Sequence, residues 1–353
     1  MRNIFNLFVL IFSFSVYSQE LVFKNLFDTT MNPSVACYRI PAIVTTNNGV
    51  LIAAIDERNI SCGDLRSNRD INIVIRKSYD NGESWSEIEK IIDYPLGESA
   101  SDPSLIVDKV TDEIFMFYNY MDLDKAKDVY KFMLIKSSDD GKSWTSPKEI
   151  TNEIIKDGWE KDFMFITSGR GIQTKDGTLL HCLVNLNKGT HVFGSIDHGE
   201  SWFLVDFPLI PGDESKIVEL SNGDWLVNSR LNSKGYRYSH ISNDKGLSWS
   251  SFKNNELLDP GCNAGLINYP LNYKNKNALL FSNAFSSKDR VNLSLSVSFD
   301  QGKNWGKSKT VYKGESAYSS ITILNNGDIG LFFEKDNYSK NVFVKIPKKW
   351  ILK

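Results

Sequence analysis

The sequence predicts an all-β fold, a six-bladed β-propeller. Three observations carry this reading. A motif of the form Ser-x-Asp-x-Gly-x-x-Trp returns five times, strand-like apolar runs precede several copies, and convincing long helical periodicity is absent. The copies run from Ser78 to Trp85, Ser137 to Trp144, Ser195 to Trp202, Ser242 to Trp249 and Ser298 to Trp305. Their serines stand 59, 58, 47 and 56 residues apart. Periods of this length suit propeller blades or solenoid repeats.

Each box has a physical reading. Its Asp accepts backbone N–H bonds inside a tight turn. Its Gly takes a backbone angle that other residues resist. Its Trp folds back to pack between neighbouring blades. The boxes are therefore fold elements with little direct part in chemistry. Ahead of them, Ile71 to Ile75, Phe132 to Ile135 and Leu293 to Val297 are β-rich, and the first and last alternate with period two. Roughly 335 residues at about 56 per repeat give about six blades, one of them without a recognisable box.

The chain has 353 residues and a formal net charge of -2. That length admits two average domains or one large all-β domain; the repeat favours a single domain over 19–353. The charge balance gives no reason to expect a nucleic-acid or anionic-membrane partner. Residues 1–18 read as a signal peptide: Arg2, an apolar run from Ile4 to Val16, then Val16-Tyr17-Ser18 before Gln19. The run is short for a membrane span, and no later run is long enough. The expected location is outside the cytoplasm, periplasmic or secreted.

The cysteines are Cys37, Cys62, Cys182 and Cys262, and their spacing fits no zinc pattern. An exported chain can oxidise them. A Cys37–Cys62 bridge and four free thiols both stay open. His181, His191, His198 and His240 are scattered without metal-ligand spacing and receive no role. No cofactor or metal is expected.

A second pattern points at a site. Asn48-Gly49, Asn222-Gly223 and Asn326-Gly327 each sit between two apolar stretches, a strong hairpin signal. Arg39 lies nine residues before Asn48 and Arg58 nine after Gly49. Glu214 lies eight before Asn222 and Arg230 seven after Gly223. Tyr318 lies eight before Asn326 and Glu334 seven after Gly327. An antiparallel hairpin brings its outer ends together away from the turn. If the three hairpins are equivalent inner strands, all six residues converge on one face near the axis.

These residues, with others in fixed order, resemble the bacterial exo-sialidases. The motifs are Tyr38-Arg39-Ile40-Pro41; Asp56-Glu57-Arg58 with Asp64 six residues on; Glu214 to Leu220 and Asn228-Ser229-Arg230; Arg290 upstream of the last box; and Ala317-Tyr318-Ser319-Ser320 running on to Glu334. The resemblance implies a sialidase-like propeller that cleaves terminal sialic acids with retention. It implies that Arg39, Arg230 and Arg290 clamp the substrate carboxylate, because the planar guanidinium binds carboxylates bidentately. Glu334 would hold Arg39. Tyr318 would be the nucleophile, Glu214 its base and Asp64 the acid and later the base. Arg58 would line the pocket, and Asp102 would be a second substrate-binding acid or a turn cap.

Asp70 competes with Asp64 but reads as structural, and Arg66 and Arg69 read as solvated or salt-bridged. The expected partner is a sialylated glycan, and the expected state a monomer. A trans-sialidase on the same scaffold would share every residue named. A non-catalytic glycan-binding propeller should lack one or more of Tyr318, Glu214 and Asp64.

Overall fold

Each box closes the turn between the third and fourth strands of a four-stranded antiparallel unit. The computed structural model describes residues 20–271, 277–306 and 308–352; the leader read at 1–18 lies outside them. The first blade is Cys37–Thr45, Leu51–Arg58, Ile71–Ser78 and Glu89–Ile92. The second is Glu98–Val107, Ile114–Asp122, Lys131–Ser137 and Lys148–Glu149. The third is Met164–Ile166, Leu179–Asn185, Gly189–Ser195 and Phe203–Leu204. The fourth is Ser215–Glu219, Trp225–Ser229, Gly235–Ser242 and Ser250–Asp259.

The last two blades share one long strand, Lys309–Ile323. Its first part, Lys309 to Glu315, pairs with Val291–Ser298 and completes a fifth blade with Gly265–Pro270 and Asn277–Ala284. Its second part, Ser316 to Ile323, pairs with Ile329–Lys335 and opens the sixth. That blade continues through Lys340–Ile346 and ends on Phe23–Asp28, the first described strand of the chain. This explains the missing sixth box. The fourth strand of the last blade arrives from the N-terminus, so no turn joins it to the third.

The core is distributed around the ring. Six apolar clusters each lie between two adjacent blades, and the last closes blade six on blade one through Phe27, Phe332, Phe343, Ile43, Leu51 and Ile55. Along Leu51–Arg58, Ile52 and Ala54 face the second blade while Leu51, Ala53 and Ile55 face the sixth. Both faces of each inner sheet are thus covered, which is why the strand reads as a nearly continuous apolar run. Among the described residues the helices are the short Thr151–Ile154 and Lys348–Leu352, and none of them is long and apolar enough to cross a membrane.

The boxes are built as their chemistry suggests. In the first, Asp80 Oδ1 accepts from the Ser84 N–H at 2.9 Å, and Ser78 Oγ accepts from the Gly82 N–H at 2.9 Å. Gly82 has φ +83°, and a Cβ there would stand 2.2 Å from the Phe343 ring. Trp85 packs edge-on against the same ring at 5.1 Å. Asp139, Asp197, Asp244 and Asp300 repeat the pattern.

These turns carry a pH dependence. The carboxyls of Asp80, Asp139, Asp197 and Asp244 are pulled down to about 2, first by the serine hydroxyl four residues on, with the same serine's N–H also lowering them. A depressed carboxyl contributes stability that is complete above its unfolded pKa near ~4 and fades as pH falls towards ~2. Asp139→Asn is expected to lower the thermal midpoint at about pH 6, with the gap closing as the medium approaches about pH 2. Melting curves across that range check it, and a gap of constant size would remove the charge from the account.

Candidate active site

Three inner strands carry a β-bulge at the same end. Register slips between Arg39 and Ala42 in blade one, Ser101 and Ser104 in blade two, and Ser316 and Ser319 in blade six. A bulge re-aims the side chains beside it. Ile40 and Asp102 sit at the first two bulges with φ +69° and +62°, each just before a proline. A β-branched residue in that region is a backbone outlier. The distortion lets the Ile40 N–H reach Glu334 Oε1 at 3.0 Å and the Asp102 N–H reach Asp56 Oδ1 at 2.9 Å.

The sequence places the outer ends of three hairpins together, and the structure does so. Arg39, Asp64, Asp102, Glu214, Arg230, Arg290 and Tyr318 all line one cavity of about 330 Å³. The turns Asn48-Gly49, Asn222-Gly223 and Asn326-Gly327 join the first and second strands of blades one, four and six.

Glu334 lies beneath the cavity, fully buried. Its carboxylate accepts from Arg39 Nε at 2.9 Å and Nη2 at 3.3 Å, and from the backbone N–H groups of Ile40 and Tyr318, each at 3.0 Å. Burial works against the Arg39 charge, yet the Glu334 charge keeps its pKa above the ordinary arginine value.

Tyr318 is buried to 9% exposure, with its hydroxyl donating to Glu214 Oε2 at 2.8 Å. Arg230 Nη1 reaches the same phenol oxygen at 3.1 Å and also bonds Glu214 Oε2. Burial, and then the Glu214 charge, push the phenol well above its ordinary value, against the pull of Arg230 and Arg290. The tyrosine is neutral at rest, and any step that uses its oxygen must pass the proton to Glu214.

Arg290 donates to Tyr338 Oη and the Gly261 carbonyl, both at 3.0 Å, and its guanidinium lies 5.4 Å from the centre of the Tyr318 ring. The Arg39 guanidinium lies 4.3 Å from the Tyr338 ring, so Tyr338 spaces the two arginines.

Asp64 stands on the exposed rim, its side chain 79% accessible. Oδ1 accepts from Arg58 Nη1 at 2.7 Å, and Arg39 Nη1 is 3.9 Å away. Burial draws the carboxyl upward, but Arg58, Arg39 and Arg290 together draw it below the usual range. Asp102 accepts from Asn119 Nδ2 at 3.0 Å. Burial and the nearby Asp56 charge hold it well above the usual carboxylate value.

One placement is corrected. Arg58, expected to line the pocket, is buried with its side chain 1% exposed. Its Nε and Nη2 bond Asp56 at 3.2 and 2.9 Å, leaving Nη1 for Asp64 and for the carbonyls of Cys62 and Gly63. It positions Asp64 from below. Asp70 instead accepts from Asn59 at 2.8 Å, and Arg66 and Arg69 pair with Asp128 and Asp124 at the surface. Cys37 and Cys62 are bonded, tying the Asp64 loop to the strand that carries Arg39, while Cys182 and Cys262 are free and buried.

The histidines are held by local partners: His191 by the Val205 carbonyl, His198 by Asp108, His181 by Ser104, and His240 by Ser251 and the Pro211 carbonyl. Among the described residues no group of three His, Cys, Asp or Glu is arranged to hold a metal. Sequence reasoning missed the roles of Asp56, Asp213 and Tyr338. Asp213 lines the cavity beside Glu214 and accepts from its N–H at 2.7 Å.

Residues 52–331 match the family described as BNR repeat-like domain. The chain belongs to this family. A sialidase of Bacteroides fragilis is 27% identical over 352 residues, covering 90% of this chain and 63% of that protein. A sialidase of Micromonospora viridifaciens is 33% identical, covering 84% of this chain and 50% of that protein. The chain therefore spans between half and two thirds of these relatives. Among solved structures, a Hadza microbial sialidase superposes with TM-score 0.80 at 27% identity, over 90% of this chain and 67% of that one. The intramolecular trans-sialidase of Ruminococcus gnavus shares the fold, with TM-score 0.81 at 19% identity, over 93% of this chain and 98% of that one.

Glu334→Ala removes the acceptor of four bonds and leaves Arg39, in a nearly buried place, with only the Asp64 carboxylate at 3.9 Å. A loss of about 3–5 kcal/mol is expected, measured by denaturant unfolding. A change below about 1 kcal/mol would show that the pair is solvated in practice.

Proposed function

We propose that the chain is an exo-α-sialidase that hydrolyses terminal sialic acids from glycans with retention of configuration. The observation that carries the reading is the Tyr318–Glu214–Arg230 cluster at the floor of a pocket with two more arginines. A sialic acid carries a carboxylate on its anomeric carbon. Arg39, Arg230 and Arg290 supply three planar cations to receive it. A neutral phenol suits that anionic centre, whereas a carboxylate nucleophile would meet like charge.

In the first step the Tyr318 oxygen attacks the anomeric carbon and its proton passes to Glu214. The bond to the leaving oxygen breaks, and Asp64 gives that oxygen a proton. In the second step Asp64 takes a proton from water, the water oxygen attacks the same carbon, and the bond to Tyr318 breaks. Glu214 then returns the proton to the phenol. Two displacements at one carbon give net retention. The Cys37–Cys62 bridge supports an exported location, where thiols oxidise.

Tyr318→Phe keeps the ring and loses the nucleophile. Release of free sialic acid from a sialylated glycoprotein is expected to fall at least about 10³-fold, with the melting temperature little changed. Turnover near the wild-type rate would remove Tyr318 from the mechanism.

Asp64 must be protonated for the first step, yet its pKa is depressed. For a glycan substrate, kcat/KM is expected to fall as pH rises through the acid range. Asp64→Ala should cost about 10²–10⁴-fold in kcat/KM on a sialylated oligosaccharide. An aryl sialoside, whose leaving group needs no proton, should lose far less. Equal losses on both substrates would sink the acid role.

A further inference from the structure

A second cavity lies on the axis at the end away from the catalytic pocket. Thr45, Val107, Ile172, Val218, Ile267 and Thr322 line it, one from the inner part of each blade, and its volume is about 310 Å³. Arg39 and Thr45 belong to one strand; Arg39 stands near its start at the catalytic pocket and Thr45 ends it before the Asn48-Gly49 turn. The channel mouth therefore faces the opposite side of the ring.

Two cations enter this mouth, Arg170 and Lys109. Arg170 is placed by an unusual piece of backbone. Gly169 and Arg170 pair with Ser104 and Leu105 in the sole parallel ladder among the described residues. Gly169 has φ +101°, and a Cβ on Gly171 would lie 2.5 Å from the Leu180 carbonyl oxygen. A glycine on each side thus lets the chain cross the inner strands and turn the guanidinium towards the axis.

That guanidinium touches carbonyls only: Nη1 donates to Ile321 at 3.2 Å and Nε to Gly171 at 3.4 Å. Neither Arg170 nor Lys109 forms an ion pair with a carboxylate among the described residues. Burial alone pulls Arg170 down to about 10, with no acid to oppose it. Burial, and then the Arg170 charge, lower Lys109 as well. The one carboxylate in the lining, Glu219, accepts from the Lys175 N–H at 2.9 Å. Two like charges in one cavity, neither of them ion-paired, repel each other, and a bound anion between them relieves both.

We propose that this distal mouth is a binding site for a small carboxylate or phosphate anion, held between Arg170 and Lys109. Arginine offers the planar fork that either anion accepts, and Lys109 adds a mobile point charge at the rim. The site is separate from the catalytic pocket and does not rest on the reading of that pocket.

The test is the thermal midpoint of the full chain titrated with inorganic phosphate and, separately, with acetate at constant ionic strength. Wild type is compared with Arg170→Gln and Lys109→Gln. Either anion can also meet the arginines of the catalytic pocket, so only the part of the shift that the variants lose is read. The expected result is a saturable rise in the wild type whose apparent affinity falls at least about fivefold in Lys109→Gln and further in Arg170→Gln. Aryl sialoside hydrolysis should match the wild type in both. Loss of the acetate response marks a carboxylate site, and loss of the phosphate response alone marks a phosphate site. Lys109 is exposed, so its variant decides the matter even if Arg170→Gln fails to fold. Identical responses to both anions in wild type and Lys109→Gln would overturn the proposal.

Discussion

Glu334 joins the two ends of the ring and holds two walls of the cavity to each other. Its carboxylate is fully buried, and it spends its acceptor capacity on Arg39, Ile40 and Tyr318. Arg39 and Ile40 belong to the first blade and Tyr318 to the last, so one side chain spans 295 residues of sequence at the seam. A buried carboxylate is tolerable only when paired and hydrogen-bonded. Here that requirement fixes the direction of a guanidinium and the backbone of the tyrosine at the same time. The pocket's geometry follows from satisfying one charge.

The rest of the pocket repeats that logic. Each arginine on its wall is held by a carboxylate, a carbonyl or a phenol before any substrate arrives. Arg39 leans on Glu334, Arg230 on Glu214, and Arg290 on Tyr338 and the Gly261 carbonyl. Side chains held this way lose little further freedom on binding, and this is how preorganised charge acts in catalysis. Asp64 differs: it stands on the open rim, steered by Arg58 from beneath. In the proposed mechanism it first gives a proton and then takes one, and that needs access to water.

Much of this was legible in the sequence because the repeat reports on turns. The boxes fix blade number and spacing through Asp, Gly and Trp in local contacts. The Asn-Gly turns fix which ends of three hairpins meet. What the sequence hides is whatever depends on burial across blades. Arg58 reads like its neighbours in spacing, yet Asp56, two residues away on the same strand, draws it inward. Tyr338 lies in a turn outside every repeat, so no period announces it. Strands covered on both faces show little alternation, and Leu51–Arg58 is buried at every position. The outermost strand of the last blade carries no box, because the chain reaches it from its beginning rather than through a turn.

That strand has a consequence for how the molecule comes into being. Phe23 pairs with Val344 and Asp28 with Lys340. The earliest of these residues to leave the ribosome must wait for nearly the last before either finds its neighbour. Until then the ring stands open at one seam, with an unpaired edge on Lys340–Ile346 once that strand has formed, and such edges recruit stray strands. Pairing over so great a separation is slow, since the closing of the loop comes before the contacts that reward it. Under the exported location proposed above, slowness is an advantage: a polypeptide that cannot lock shut remains threadable until it has arrived.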